Sequence, residues 1–400
     1  MRGCTYSTYN PGPGRRLEYE RSVSYFSSYM KEALGGAAIA SVAAILRNQH
    51  PSGAFVASPD FAPYRYCWLR DGSFTAFALD MAGEHEAARR FHDWCARAVV
   101  GVGPVIDDAL ARHRGGEALD PAKMPPARFS LEGAALADDW PNFQLDGYGT
   151  WLWALEHHLQ RSGDAPKPEW EPAVRWASQY VAELGTQPCF DVWEEAGGSV
   201  HTATLGCVYA GLRAGAAVLG EGYLEDRAEA LHVALLAQAG RDGFFVKSDH
   251  SDEVDAALLW LCAPLGVVEA NEPHFAETQR RIARSLDLEG GLRRYVEDTY
   301  YGGGAWPVLT ASLGLCYAAG GDEAGARRCL AWVGDRVEAE GKLAEQYGGE
   351  KRDPTNYRLW VQRWGPPAAD LVWSHAMHVV LAAELAGLGE ASPEVRDGEK

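Results

Sequence analysis

The sequence predicts an all-α fold, an (α/α)6 barrel of six helical hairpins in an inner and an outer ring, on three observations. Apolar residues recur at helical spacing along twelve segments, and no long period-two alternation competes with them. Short plain connections alternate with long ones rich in aromatic and charged residues. In a ring of antiparallel hairpins alternate connections emerge at opposite ends, so the long ones crowd one face, where loops of this length usually carry function.

The expected helices lie near 32–48, 72–83, 84–101, 146–162, 167–184, 200–219, 221–240, 253–263, 271–286, 305–319, 322–340 and 370–387. Gly-Glu at 83–84, Ser-Gly-Asp-Ala-Pro at 162–166, Gly-Glu-Gly at 220–222 and Gly-Gly-Asp-Glu at 320–323 separate hairpin partners as stop-and-start signals. Inner helices should be apolar nearly all round, as Trp151–Leu155 and Val254–Cys262 are, and outer ones such as 322–340 amphipathic. Gly243 to Lys247 reads as a short strand, and the Arg/Gly-rich run His113 to Pro126 as a mobile loop. Residues 1–25 and 390–400 read as extensions around one domain over 26–389.

Composition narrows the partners. A formal net charge of -18 and a pI near 5.1 repel phosphate backbones and anionic membrane surfaces, which speaks against nucleic acid and membrane and favours a neutral substrate. The eight cysteines lie far apart without a CxxC pair, so reduced, packed thiols are expected. The first twenty residues hold no apolar run of the secretory kind, and Leu34 to Leu46 is too short to span a bilayer. The expectation is a cytoplasmic protein.

The long loops, near 49–71, 102–145, 185–199, 241–252, 287–304 and 341–369, then collect as one surface. The first carries Tyr64-Arg-Tyr-Cys-Trp-Leu-Arg-Asp-Gly72, where Arg70 and Asp71 suit adjacent hydroxyls of a sugar, one donating and one accepting. Asp71 also reads as the N-cap of the helix at 72, a role compatible with sugar binding. The second offers Asp139-Trp-Pro-Asn-Phe-Gln-Leu-Asp-Gly147, in which a Trp beside amide and carboxylate groups suits a pyranose. The third holds Asp191-Val-Trp-Glu-Glu-Ala-Gly-Gly198, and an apolar neighbour plus a like charge would raise a carboxyl pKa as a general acid needs, although Glu-Glu is also a common solvated pair. The fifth brings Arg294 and a triple glycine without the Lys-Ser/Thr of a phosphate loop. The sixth brings Ala344-Glu-Gln-Tyr347, Trp360, Trp364 and Trp373-Ser-His375, with Glu345 a candidate second carboxylate.

No cofactor is expected and no metal site stands out. His157 and His158 are helix neighbours that diverge, His375 and His378 read as satisfied structural histidines, and Ser248-Asp-His-Ser-Asp252 reads better as a helix cap than as a cation loop, though the choice for Asp249–Asp252 stays open. No nucleophile elbow or Cys/His pattern appears.

Taken in order, Gly53-Ala-Phe-Val-Ala-Ser-Pro59, Trp68-Leu-Arg-Asp71, Trp140 with Gln144 and Asp146, Trp193-Glu-Glu195, Arg294-Tyr-Val-Glu-Asp-Thr-Tyr-Tyr301 with Trp306, Glu345-Gln-Tyr347 and Trp373-Ser374 resemble glycoside hydrolase family 15 across about residues 38–385. That family includes glucoamylases, glucodextranases, some trehalases and isomaltose-cleaving enzymes. The resemblance implies an inverting exo-acting α-glucosidase that releases β-glucose, with Glu194 as general acid and Glu345 as general base. It implies that Arg70, Asp71 and Arg294 hold the terminal glucose, that Trp140 stacks on the substrate and that Glu195 contacts the leaving-group side. It further places Tyr66, Trp68, Gln144, Asp146, Trp193, Tyr295, Trp306, Tyr347 and Trp373 around the sugar.

The chain departs from many members in showing neither an N-terminal β-sandwich domain nor a starch-binding module, which tilts the expected substrate towards isomaltose and other short α-1,6 or α-1,4 gluco-oligosaccharides. Trehalose, and with it a trehalase of the same family, stays open, as do the oligomeric state and pH optimum. Other readings of the same barrel fit less well. An epimerase needs histidines on the loop face, a uronide hydrolase a basic pocket, and a non-catalytic sugar-binding or regulatory protein has no need of both Glu194 and Glu345.

Overall fold

In the computed structural model the described residues are 28–239 and 243–387, with side chains from 34 onward; the expectations for 1–25, Cys4 and 390–400 lie outside them. The α-helices are α1 (Ser28–Arg47, interrupted at Gly35), α2 (Leu69–Met81), α3 (His85–Arg114), α4 (Asp146–Ser162), α5 (Glu171–Leu184), α6 (Thr202–Leu219), α7 (Gly222–Ala237), α8 (Pro273–Ser285), α9 (Pro307–Ala319), α10 (Glu323–Gly334), α11 (Gly349–Arg352), α12 (Pro354–Trp364) and α13 (Val372–Leu385). Helices α2, α4 and α6, the 3-10 segment Ala256–Leu261, then α9 and α13 touch one another in that order, and α13 returns to α2. This closed inner ring is flanked by α1, α3, α5, α7, α8 and α10, the (α/α)6 barrel.

Burial explains which segment went where. All of Trp151–Leu155 is buried, and α6 is enclosed by α4, α5 and α7 along most of its length, although it is apolar and long enough to cross a bilayer. Outer α8 buries only Phe275, Thr278 and Ile282, spaced i, i+3, i+7 on one face. The stop signals act as read: Gly163 and Gly220 end α4 and α6 in the left-handed conformation at φ 71° and 69°. The seven described cysteines are free and buried.

The barrel axis is filled by aromatic rings. Phe74 stacks on Trp373 at 5.7 Å, and Trp260 lies 5.4 Å from each of them. This block floors the end of the barrel at which the inner helices begin.

Four local expectations are corrected. Helix α3 runs on to Arg114 through Gly101, Gly103 and Pro104, because Val102, Ile106, Ala109 and Leu110 continue its buried stripe and a Cβ on Gly103 would lie 2.7 Å from the Trp176 ring. Gly103 is thus a packing contact, and His113 and Arg114 belong to a helix end. The segment expected as a helix over 253–263 is six residues of 3-10 helix, capped by Asp255 rather than by Ser248–Asp252. Gly243–Lys247 forms no strand; Ser248 makes one isolated bridge to His201. The sixth loop holds α11 and α12, and α12 buries no residue, which is why its apolar periodicity is faint.

Helices α4 and α6 meet backbone to backbone. A Cβ on Gly149 would sit 2.4 Å from the Cys207 carbonyl oxygen, and one on Gly211 would sit 2.5 Å from that of Gly149. Gly149→Ala should therefore push two inner helices apart at a cost of about 2–3 kcal/mol, read as a lower midpoint in denaturant unfolding. An unchanged midpoint would show that the helices are not in backbone contact.

Candidate active site

Loops entering the inner ring deliver polar groups to one cavity of about 290 Å³ above the aromatic floor. Trp68, Arg70, Asp71, Trp140, Trp193, Glu194, Glu195, Arg294, Trp306, Glu345 and Trp373, all expected from the sequence, line it. Both candidate carboxylates face the same space.

Arg70 is the hub of the floor. Its guanidinium donates to Asp146 at 2.9 Å and to Gln144 at 3.2 Å, and its Nε lies 3.3 Å from Asp71. Asp71 sits in the first turn of α2 and does not cap it, because the helix already begins at Leu69. Burial pushes the Asp71 carboxyl up to about 6 against the pull of Arg70, with further upward contributions from Glu194 and Asp146.

Glu194 stands on a strained turn at φ 68°, with Ala196 at φ 50°. Asp191 fixes that turn by accepting from the backbone N–H of Trp193 at 2.9 Å and of Glu195 at 2.8 Å. Lys247, 3.4 Å from Asp191 and 3.3 Å from Asp255, ties the turn to the Trp193 indole, which donates to Asp255 at 2.9 Å. Three N–H groups converge on Oε1 of Glu194: Trp68 at 2.6 Å, Trp140 at 2.9 Å and Gln144 at 3.2 Å. The carboxylate is pinned by one oxygen, and none of these bonds uses the other.

Glu345 is held differently. Tyr64 donates to its Oε1 at 3.0 Å and Tyr300 at 3.4 Å, the two phenols being linked at 2.8 Å, while buried Oε2 has no protein partner. Burial pushes the carboxyl up to about 7, partly offset by the Tyr64 bond and by Arg294. An unpaired acceptor on a residue that lines the cavity is suited to take a proton from water.

Arg294 forms a two-pronged pair with fully buried Asp298 at 2.6 and 3.0 Å and reaches Glu195 at 3.3 Å. Tyr295 donates to the other oxygen of Glu195 at 2.5 Å. Glycines 302–304 let this loop press on the sixth: a Cβ on Gly302 would meet the Gly349 carbonyl oxygen at 2.2 Å.

Five expected site residues are outside the cavity lining. Tyr66 packs under Arg128, with the guanidinium carbon 4.4 Å from its ring centre. Gln144 and Asp146 are buried behind Arg70, and Tyr295 behind Glu195, each bonded to a lining residue. Tyr347 turns away to accept from Ala344 N–H and donate to the Arg336 carbonyl, since its phenol satisfies one backbone group of its own loop and one of the segment after α10. Conversely, Tyr64, Tyr300 and Arg363 line the cavity although the sequence gives them no place in it, and so do Trp360 and Trp364, which the sequence marks only as aromatic residues of the loop. Tyr64 and Tyr300 stand inside motifs quoted for other residues, whereas Arg363 rides on the helix that periodicity did not reveal. Arg128 lies 3.6 Å over the Trp140 ring and pairs with Asp138, backing that ring from the far side of the loop.

The profile described as glycosyl hydrolases family 15 matches residues 35–383. The chain is 38% identical over 359 residues to the isomaltose glucohydrolase of Kribbella flavida, covering 88% of this chain and 93% of that one. It is 27% identical to trehalase 2 of Sulfolobus acidocaldarius, over 62% of this chain and 47% of the other. A solved wild-type glycosidase superposes with TM-score 0.84 at 38% identity, over 90% of this chain and 99% of that structure. A bacterial glucoamylase complexed with acarbose shares the fold at TM-score 0.71 and 18% identity, over 93% of this chain and 58% of the other.

Burial of Glu345 has a cost that depends on pH. Its folded pKa of about 7 lies above the ordinary 4.5, so the unfolded chain loses this proton first. Stability is full below about 4.5, falls as pH rises through 7 and levels off above. Glu345→Gln should therefore be more stable than the parent at pH 8, by up to about 3 kcal/mol, and equal to it near pH 4. A gain that did not change with pH would place Glu345 outside the desolvated cavity.

Proposed function

Because the chain belongs to family 15 of the glycosyl hydrolases, it is an inverting exo-acting α-glucosidase, and we propose how its residues perform that hydrolysis and on what. Glu194 is the general acid and Glu345 the general base. Arg70 and Asp71 receive hydroxyls of the terminal glucose, and the Trp rings stack on its apolar faces. Glu194 donates its proton to the glycosidic oxygen as the bond to C1 breaks. Glu345 takes a proton from the water that attacks C1 from the opposite face, so the freed sugar leaves as β-glucose. The observation that carries this assignment is the pair of unlike anchors on one cavity. Three N–H donors fix Oε1 of Glu194, and two phenols orient Glu345 through its Oε1 so that Oε2 is left without a hydrogen-bond partner.

The substrate we favour is isomaltose or another short α-1,6 or α-1,4 gluco-oligosaccharide. A cavity of about 290 Å³ is at the small end for ligand sites and accommodates a chain end rather than a stretch of polymer. The 38% identity to the Kribbella flavida isomaltose glucohydrolase supports the choice over trehalose, whose named relatives are more distant. Trp360 and Trp364 of α12, at the rim of the cavity, offer faces for the leaving sugar. The seven free buried thiols suit a reducing compartment, and the cytoplasm is our placement.

Proton NMR of fresh product decides the reaction and its substrate together. With isomaltose, maltose, panose and trehalose offered separately, isomaltose should be cleaved fastest; with panose, whose leaving group is maltose, the first free glucose should be β, and initial α-glucose there would refute the inverting roles. Glu194→Gln and Glu345→Gln should each lower kcat by at least about 10²–10⁴-fold with the fold intact; near-parental turnover in either removes that residue from its role.

The raised Glu345 carboxyl also sets the acid limb. The base must be ionised, so kcat/KM should climb as pH rises through about 7. Removing the Tyr64 hydroxyl takes away a bond that favours the ionised form, so Tyr64→Phe should displace this limb to higher pH. A limb that stayed in place would deny Tyr64 its hold on the base.

A further inference from the structure

At the opposite end of the barrel a second buried polar cluster stands apart from the glucosidase chemistry. Asp80 lies nine residues beyond Asp71 on α2, about 13 Å along the helix axis. His92 reaches it from α3 and His158 from α4, and all three side chains are fully or nearly fully buried. One donor atom from each lies within 4.8 Å of the other two.

The cluster is only half satisfied by hydrogen bonds. His158 Nδ1 lies 2.9 Å from Asp80 Oδ1, and His85 Nδ1 is 2.8 Å from the same oxygen. His158 Nε2 has no hydrogen-bond partner, its closest acid being Asp164 at 3.9 Å. His92 has none at either ring nitrogen, although it is 0% exposed. An imidazole with both nitrogens orphaned in a protein interior lacks the partners that a buried polar group ordinarily has. An imidazole nitrogen with a free lone pair is a common metal ligand.

We infer that Asp80, His92 and His158 form a structural site for a divalent transition ion of the zinc class. Two imidazoles and a carboxylate are the donor set such an ion prefers over calcium or magnesium, which take oxygen. Three atoms within 4.8 Å of one another have a common point no more than about 2.8 Å from each. Bond lengths of about 2.0–2.2 Å then need each side chain to close by less than about 1 Å. His85, bonded to Asp80 and 38% exposed, and Asp164, 50% exposed, mark the route from solvent and supply the outer partners. The ion would tie the α2–α3 hairpin to α4 across the Gly83 turn. It serves the fold, because the catalytic cavity lies at the other end of the same helices.

The test uses tag-free full-length protein, stripped with EDTA and then dialysed against zinc. About one zinc per chain should survive desalting, the melting temperature should rise by about 5 °C over the stripped form, and cobalt in its place should give the visible bands of a low-coordinate His-carboxylate site. His92→Asn and His158→Gln should each lose that zinc and that rise while still hydrolysing substrate at 25 °C. Retention of no zinc by the parent, equal melting with and without it, or undiminished zinc in both variants would overturn the site. If a variant fails to fold, stoichiometry and cobalt spectrum of the parent decide alone.

Discussion

The Arg70 guanidinium is the constraint on which the rest of the site depends. It is a buried cation at the start of an inner helix, and it persists because Asp146, from the start of the next inner helix, faces it at 2.9 Å. That pair locks α2 to α4 at the pocket end, while Gly149 brings α4 onto α6 one turn below. Gln144 then accepts from Arg70 and donates to Glu194, so barrel packing is transmitted to that carboxylate through one amide. Removing Asp146 would leave a desolvated charge, which is why a residue that never lines the cavity is as necessary to it as one that does.

The two carboxylates are tuned by opposite devices. Glu194 receives three indole and amide N–H groups on one oxygen, so its position is over-determined on a backbone turn that would otherwise relax from φ 68°. Asp191, Lys247 and Asp255 supply the restraint from behind. Glu345 is instead held through one oxygen by a phenol pair that favours its ionised form, while desolvation outweighs those bonds and raises its proton affinity, and the other oxygen has no hydrogen-bond partner. In the roles we propose for them, position matters most for Glu194, which would meet the leaving oxygen, and basicity for Glu345, which would meet water.

Much of this was legible in the chain because it is local. Apolar periodicity and Gly-based stops place α4, α6 and α13 within two residues of their ends. Motifs such as Trp68-Leu-Arg-Asp71 put neighbouring side chains at one helix start, which brings Trp68, Arg70 and Asp71 into one cavity. What failed was decided by contacts between distant segments. The helix expected to end at 101 runs on to Arg114, with Gly103 packed under the Trp176 ring. Tyr347, two residues from Glu345, is turned away by the carbonyl of Arg336. Tyr64 has no feature of its own in the sequence; its role comes from Glu345, 281 residues later. The Asp80, His92 and His158 cluster was likewise invisible, since each residue sits on a different helix.

Orphaned polar atoms close the argument about what the cavity is for. Trp306 Nε1, Trp373 Nε1 and Glu345 Oε2 are buried without hydrogen-bond partners, and all belong to residues that line it. They are two donors and one acceptor on walls shared by aromatic rings and charged groups. Each costs the folded protein about 1–3 kcal/mol unless something supplies the missing partner. A ligand that repays both kinds must present hydroxyls around its rim and apolar faces between them. That is the description of a pyranose, so the stability forgone in forming this cavity is the binding energy available to a sugar.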